Sequence, residues 1–231
     1  MIRAIFLDHS GFLVELPSVT LLFDWWKGKL PAIRQDKPLL VFSSHWHEDH
    51  FNPAIFDLGA AAYVLGDMSP SWLRRKGISP DNITRSISLS GNETCNPLVD
   101  VTVETLPSTD EGVAFLVSAD GMTIFHAGDL NWWHWEGEPD PWNPDMAKNF
   151  QTYCEPLRGR SIDLAMLPLD RRLNEDGFRG PKHFLDLAKI RHFLPMHQWG
   201  NFGFTEQFLS CYPEFTKQTY PVTRKGEVFE F

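Results

Sequence analysis

Six consecutive residues, His45-Trp46-His47-Glu48-Asp49-His50, carry three imidazoles and the Asp49 carboxylate directly after the apolar run Leu39-Leu40-Val41-Phe42. Packing gives no reason to gather so many polar groups at a strand end. Burying them uncompensated costs several desolvations, which a cation removes by bonding their lone pairs. Residues two apart at a strand end point the same way, so His45 and His47 can reach one ion. Asp49 and His50 turn away at the next bend, which suggests a second ion. The competing reading of the stretch is a solvated acidic loop.

Three further segments have the same form. Phe125-His126-Ala127-Gly128-Asp129 is an apolar strand running into Gly-Asp, Pro195-Met196-His197 ends in a histidine, and Leu106-Pro107-Ser108-Thr109-Asp110 ends in a polar turn with a carboxylate. Ligands at the ends of separate core strands are what a rigid two-metal site requires.

Together, His45-x-His47-x-Asp49-His50, Gly128-Asp129 and His197 resemble the metallo-beta-lactamase superfamily, over essentially the whole chain. The resemblance implies an α/β fold, a four-layer αβ/βα sandwich of two mixed β-sheets with outer helices and metals at one edge. It implies two divalent ions, with His45 and His47 on the first and Asp49 and His50 on the second. Asp129 would bridge both, and His197 would complete the second site. Leu7-Asp8-His9-Ser10-Gly11-Phe12 is similar to the opening of the lactonase-like and phosphodiesterase-like branch. Beta-lactamases proper match less well, since no export signal precedes the first strand. Asp24, after Leu21-Leu22-Phe23, resembles the aspartate that braces the ligand loop in this family.

One departure matters. The family pattern expects a third histidine for the first metal, yet none lies between His50 and His126. The matching turn offers Asp110 as an oxygen ligand, with water, His126 or His134 as substitutes. Fewer nitrogen ligands soften the preference for zinc, so manganese, nickel or iron also become acceptable.

Other residues have readings in both directions. His9, in a tight turn, has a substrate or supporting role or is a satisfied turn residue. His134, among Trp132, Trp133 and Trp135, walls the pocket or packs a surface loop. After the apolar strand Ile162–Leu167, Asp170 could orient a ligand, and Arg171 or Arg172 could clamp an anion. Nine tryptophans are many for this length, and most lie near the strand-end loops, where a few would form an apolar rim.

The elements that must hold these groups are mostly short strands. Ala4–Leu7, Phe12–Leu16, Thr20–Phe23, Leu39–Ser43 and Ala61–Leu65 form a first set, with a short helix after His50 and a Pro70 turn closed by Gly77. Ile83–Leu89 and Val99–Leu106 read as further sheet, and Val113–Ser118 with Met122–His126 as a hairpin about Ala119-Asp120-Gly121. Asn131–Asn143 reads as a loop, Met146–Leu157 and Pro181–Lys189 as helices, Ile162–Leu167 and Phe193–Pro195 as core strands. Phe204–Phe215 reads as a closing helix capped by Thr205. The halves should meet near residues 100–120, within one domain spanning residues 1–231.

Composition narrows the function. The 231 residues are 42% hydrophobic and 22% charged, which suits a globular chain, and the net charge of −9 argues against long nucleic acid or an anionic membrane as partner. Three scattered cysteines give neither a disulfide framework nor a Cys-x-x-Cys zinc pair, which fits the cytoplasm. No Walker motif, dinucleotide fingerprint or nucleophile elbow is present.

The expected chemistry is hydrolysis of an ester-type bond by a metal-activated water or hydroxide. Asp49 and Asp129 would hold the ions and orient the nucleophile, while His134 or Arg171 would stabilise the developing charge. The substrate is a small anionic or ester molecule, with a sugar-phosphate lactone as one candidate. A phosphodiesterase or nuclease of the same fold is the alternative, and a non-catalytic metal- or ligand-binding member a third.

Overall fold

The computed structural model describes residues 1–231. Its strands form two mixed sheets. In the first, β1 (Arg3–Asp8), β2 (Gly11–Glu15), β3 (Thr20–Phe23), β4 (Leu39–Ser43), β5 (Ala62–Gly66) and β6 (Ser86–Leu89) lie side by side, and β13 (Val228–Glu230) pairs outside β1. The second runs β12 (Lys189–Met196), β11 (Ser161–Pro168), β10 (Met122–His126), β9 (Val113–Ala119), β8 (Val101–Pro107) and β7 (Thr94–Leu98).

Alternation along the strands builds the layers. On β1, Ala4 and Phe6 join the larger apolar cluster, which fills the space between the sheets, while Ile5 and Leu7 face the other way. The outward set meets Phe51, which follows the histidine-rich turn, Ile55 and Phe56 of the single turn Pro53–Asp57, and Leu73 of the short helix α1 (Pro70–Arg75). On the far side Phe150 of α3 (Trp142–Cys154), Phe184 of α4 (Arg179–Leu187) and Phe208 of α5 (Phe204–Cys211) extend the larger cluster. The result is the four-layer α/β sandwich that the strand pattern and the resemblance imply. No helix is long and apolar enough to cross a membrane.

The structure corrects several local expectations. Residues 80–84 are helical (α2, Pro80–Thr84), because Ser79 accepts the Asn82 amide at 3.3 Å and Pro80 takes the first helical position; the strand starts only at Ser86. The halves meet between Leu89 and Thr94 rather than near residues 100–120, because Thr94–Leu98 is itself an edge strand of the second sheet. Its Pro97 disguises it in sequence and is tolerated at the edge, where the register with β8 slips between Cys95 and Leu98. Gly203, not Thr205, precedes the closing helix; the Thr205 hydroxyl bonds Gln198 Oε1 at 3.1 Å. The hairpin forms as the Asp-Gly signal requires, with Asp120 and Gly121 at φ 53° and 72°.

Three glycines crowd Ser44, the residue before the histidine-rich turn. A Cβ on Gly66 or Gly112 would stand 2.0 Å from Ser44 O, and one on Gly128 2.7 Å from Ser44 Cβ. Gly112 and Gly128 also hold left-handed φ of 68° and 53°. The close approach lets Val113 donate to Ser44 O at 3.0 Å, tying the second sheet to the start of the turn. Gly66→Ala therefore forces backbone apart in a packed region and should destabilise the fold by roughly 1–3 kcal/mol, read as a lower urea midpoint. An unchanged midpoint would show that Ser44 is not confined.

Candidate metal centre

Strand direction gathers the site. β10, β11 and β12 run parallel, so their C-terminal ends deliver Asp129, Asp170 and His197 to one edge. In the other sheet β1 and β3 both oppose β2, and β3 is parallel to β4. Their ends deliver His9, Asp24 and the His45–His50 turn. The two edges are clasped where His197 N donates to His9 O at 3.1 Å and His126 Nε2 to Ser10 O at 2.8 Å.

Three of the buried imidazoles, His45, His50 and His197, are each oriented by a partner on Nδ1. His50 Nδ1 donates to Asp24 Oδ2 at 2.7 Å, and His197 Nδ1 to Asp170 Oδ2 at 2.7 Å. His45 Nδ1 lies 3.0 Å from Ser44 Oγ, which itself donates to Asp24 Oδ2 at 2.7 Å. Turning Nδ1 outward leaves Nε2 facing inward. Asp129 sits between them: its Oδ1 is 3.2 Å from His50 Nε2 and 3.4 Å from His197 Nε2, and its Oδ2 is 3.7 Å from His45 Nε2. Nε2 of His9, His45, His50 and His197 and Oδ1 of Asp129 are all buried without a hydrogen-bond partner. Buried polar atoms are almost always satisfied. Five unsatisfied ones converging on one space fit a divalent cation, and the nitrogen and carboxylate donors suit zinc, manganese or iron.

Three groups have ligand atoms all within 4.8 Å of one another: His9, Asp49, His50 and His197; His45, His50 and Asp129; and His45, His47 and Asp49. The structure thus brings together His45, His47, Asp49, His50, Asp129 and His197. Asp110 is not drawn in. It is exposed on the wall of the same cavity but belongs to none of the groups. Its turn is fixed from elsewhere: Thr109 Oγ1 donates to Asn131 O at 2.6 Å, and Gly112 is wedged on Ser44.

Two other expectations shift by one residue. His134 faces away, with Nε2 3.8 Å from Asp176 Oδ2 in a neighbouring acidic hollow. Its neighbour Trp133 takes the inward place, held by a 2.9 Å bond from Nε1 to Asp129 O. Arg171 points to Asn201, whose amide oxygen accepts from Nη1 at 2.7 Å once turned to face it. The arginine on the cavity is Arg172. His126 is a satisfied core residue: besides its bond to Ser10 it accepts Gly128 N at 3.1 Å and stacks on Phe23. His9, which a tight turn alone could not assign, joins the ligand group through a left-handed φ of 53° that aims its ring at His197, 4.0 Å away between centroids.

The electrostatics follow from burial and these contacts. Burial pushes the His45 and His9 imidazoles down to about 4, helped by His50 and His197 respectively, so both stay neutral with a free lone pair. Burial would also lower His50, but the Asp129 and Asp24 carboxylates outweigh it and hold its pKa well above the usual value. Burial alone would raise Asp129; the surrounding His50, His197 and His45 instead keep it well below the carboxylate range. Asp170 is likewise held at about 2, against the pull of burial, by His197 and Arg172. Asp110 moves the other way, raised by partial desolvation at the cavity wall and by Asp129.

Set beside known proteins, residues 3–134 match the family model described as the beta-lactamase superfamily domain, and the chain belongs to that family. A UPF0173 metal-dependent hydrolase from Thermococcus kodakarensis is 26% identical over 210 residues, covering 85% of this chain and 84% of the relative. One from Nitratidesulfovibrio vulgaris is 28% identical over 211 residues, covering 86% and 80%. Among solved structures, a metallo hydrolase from Ignicoccus hospitalis superposes with a TM-score of 0.65 at 19% identity, over 100% of this chain and 99% of that one.

Two outcomes test the site. Asp170→Asn keeps the shape but loses the charge that orients His197. It should lower zinc affinity by about 10–100-fold in a chelator competition; unchanged affinity would show that His197 needs no such anchor. In the metal-free fold the Asp129 and Asp24 carboxylates raise the His50 pKa and so favour its protonated form. A cation must displace that proton, so binding should release about one proton and weaken as pH falls. Calorimetry in buffers of different ionisation enthalpy reads this directly, and equal heats in all buffers would contradict it.

Proposed function

We propose that the protein is a metal-dependent hydrolase that cleaves an ester-type bond at this edge of the sandwich. The observation that carries the reading is the convergence of unpartnered Nε2 and Oδ atoms on the floor of a cavity of about 460 Å³. Divalent cations held there would activate a bound water and polarise the substrate's carbonyl or phosphoryl oxygen. His45 and His47 would hold one ion, and Asp49, His50 and His197 the other. The two oxygens of Asp129 face different imidazoles, which suits a carboxylate shared between two ions. His9 Nε2, 3.4 Å from Asp49 Oδ2, lies among the donors of the second ion.

The test loads the protein with zinc or manganese and assays a panel of lactones alongside bis-p-nitrophenyl phosphate. Turnover of an ester is expected, and Asp129→Ala should lower it by at least about 10²–10³-fold while reducing bound metal. Full turnover and full metal content in that variant would overturn the assignment. A loaded protein inert on every substrate would favour a binding role without catalysis.

A further inference from the structure

The ligand residues form only one side of the cavity. The other is aromatic: Trp133 and Trp135 from the loop after Asp129, Trp142 and Met146 from the start of α3, and Trp199 from the turn after β12. Trp133 and Trp135 lie nearly parallel, 6° between planes with centroids 6.3 Å apart, and Trp133 reaches to 5.4 Å from the His197 ring. Trp199 is 50% exposed at the mouth, where both it and His197 hold left-handed φ, 52° and 63°. Bulky side chains rarely take that conformation, and such strain is found where a side chain must be aimed.

The charges on the lining are equally one-sided. Asp49 and Asp129 belong to the ion-binding floor, Asp110 is the carboxylate of the outer wall, and Arg172 is the one lysine or arginine. Arg172 is already engaged: Nη2 donates to the buried Asp170 at 2.6 Å and Nε at 2.9 Å, and the guanidinium lies over Trp199 at 4.8 Å and Trp135 at 5.5 Å. Its charge is paired with Asp170, and its flat face joins the aromatic wall. A phosphate or carboxylate carried out of reach of the ions would lie beside tryptophan and Asp110, with no free cationic side chain on the wall to pair with it.

We infer that the substrate is a neutral ester or lactone whose non-reacting part is a flat aromatic or fused-ring group laid against the Trp133–Trp135–Trp142 wall. This rests on the hydrolase reading above and replaces the sugar-phosphate candidate. In the reaction the oxygen of water bonds to the carbonyl carbon and the ester C–O bond breaks. One proton of the water goes to the leaving oxygen and the other is lost as the acid ionises. Neither product needs an oxidant or a further reactant.

The test compares dihydrocoumarin, a small alkyl lactone (γ-valerolactone) and an anionic sugar-phosphate lactone with the zinc-loaded protein. The expected kcat/KM for dihydrocoumarin exceeds that for the anionic lactone by at least about tenfold, the scale of one buried aromatic contact. Trp142→Ala should lower the dihydrocoumarin to γ-valerolactone ratio about tenfold, mainly through KM. Met146→Lys, which adds a cation to the wall without removing an aromatic ring, should shift preference toward the anionic lactone. A second readout needs no turnover: calorimetric binding of the uncharged lactam 3,4-dihydro-2(1H)-quinolinone should weaken about tenfold in Trp142→Ala. Preference for the anionic lactone in the unaltered protein, or ratios unmoved in both variants, would overturn the inference while leaving the hydrolase reading intact. Lactam binding that depends on Trp142, with no hydrolysis of any ester, would instead remove the hydrolase reading and keep the pocket assignment.

Discussion

The buried carboxylate of Asp24 is the contact on which the rest of the site depends. Asp24 is wholly buried and has a left-handed φ of 42° at the end of β3. Oδ1 accepts Ser44 N at 2.7 Å, and Oδ2 accepts Ser44 Oγ and His50 Nδ1, each at 2.7 Å. A carboxylate is costly to bury, and three donors at these distances offset that cost. The same three bonds set where the turn begins, which way His50 faces and, through Ser44 Oγ, how His45 is held. The adjacent strand β4 can then be apolar from Leu39 to Phe42, because most of the polar contacts lie at and beyond its end.

The second sheet repeats the device with other residues. Asp170 follows β11 as Asp24 follows β3, and it orients His197 as Asp24 orients His50. It also accepts the Arg172 backbone amide and side chain, so one buried carboxylate fixes a ligand and part of the substrate wall together. This coupling explains why the arginine on the cavity is not a free anion clamp. Its charge is spent on Asp170, and its flat face is left for the tryptophans.

Asp129 stands where the two halves meet. Its chain position is set by the left-handed Gly128, which lets the backbone pass Ser44. Its electrostatic position is set by imidazoles from both sheets. Without a cation the cluster sets His50, whose pKa the carboxylates raise, beside several buried imidazole nitrogens with no partner. Cation binding and the arrangement of the sheets are therefore two parts of one equilibrium, as expected where ligands must lose protons to bind.

Much of this was legible in the residues alone. The His45–His50 turn, the Gly128-Asp129 step and His197 stand out because ligand residue types cluster at the ends of apolar runs. The strands Thr20–Phe23 and Leu39–Ser43 emerge with their observed bounds, because a continuous apolar run has no other stable use. The edge strand around Pro97 and the helix at Pro80–Thr84 were hidden, since one lacks alternation and the other is too short for a helical period. Asp110, His134 and Arg171 were placed by proximity in sequence, which fixes a loop's position but not which of two neighbouring side chains turns inward. Trp133 and Arg172 won those places through bonds to Asp129 O and Asp170, contacts that exist only after distant strands pair. His9 entered the ligand group the same way, through a clasp to His197 across 188 residues of chain that no local pattern records. Sequence thus determined the kinds of donor and the strand ends that carry them, because burial and periodicity are local properties. Only the tertiary structure decided which donors meet and what faces them, because that depends on the direction of strands drawn from both ends of the chain.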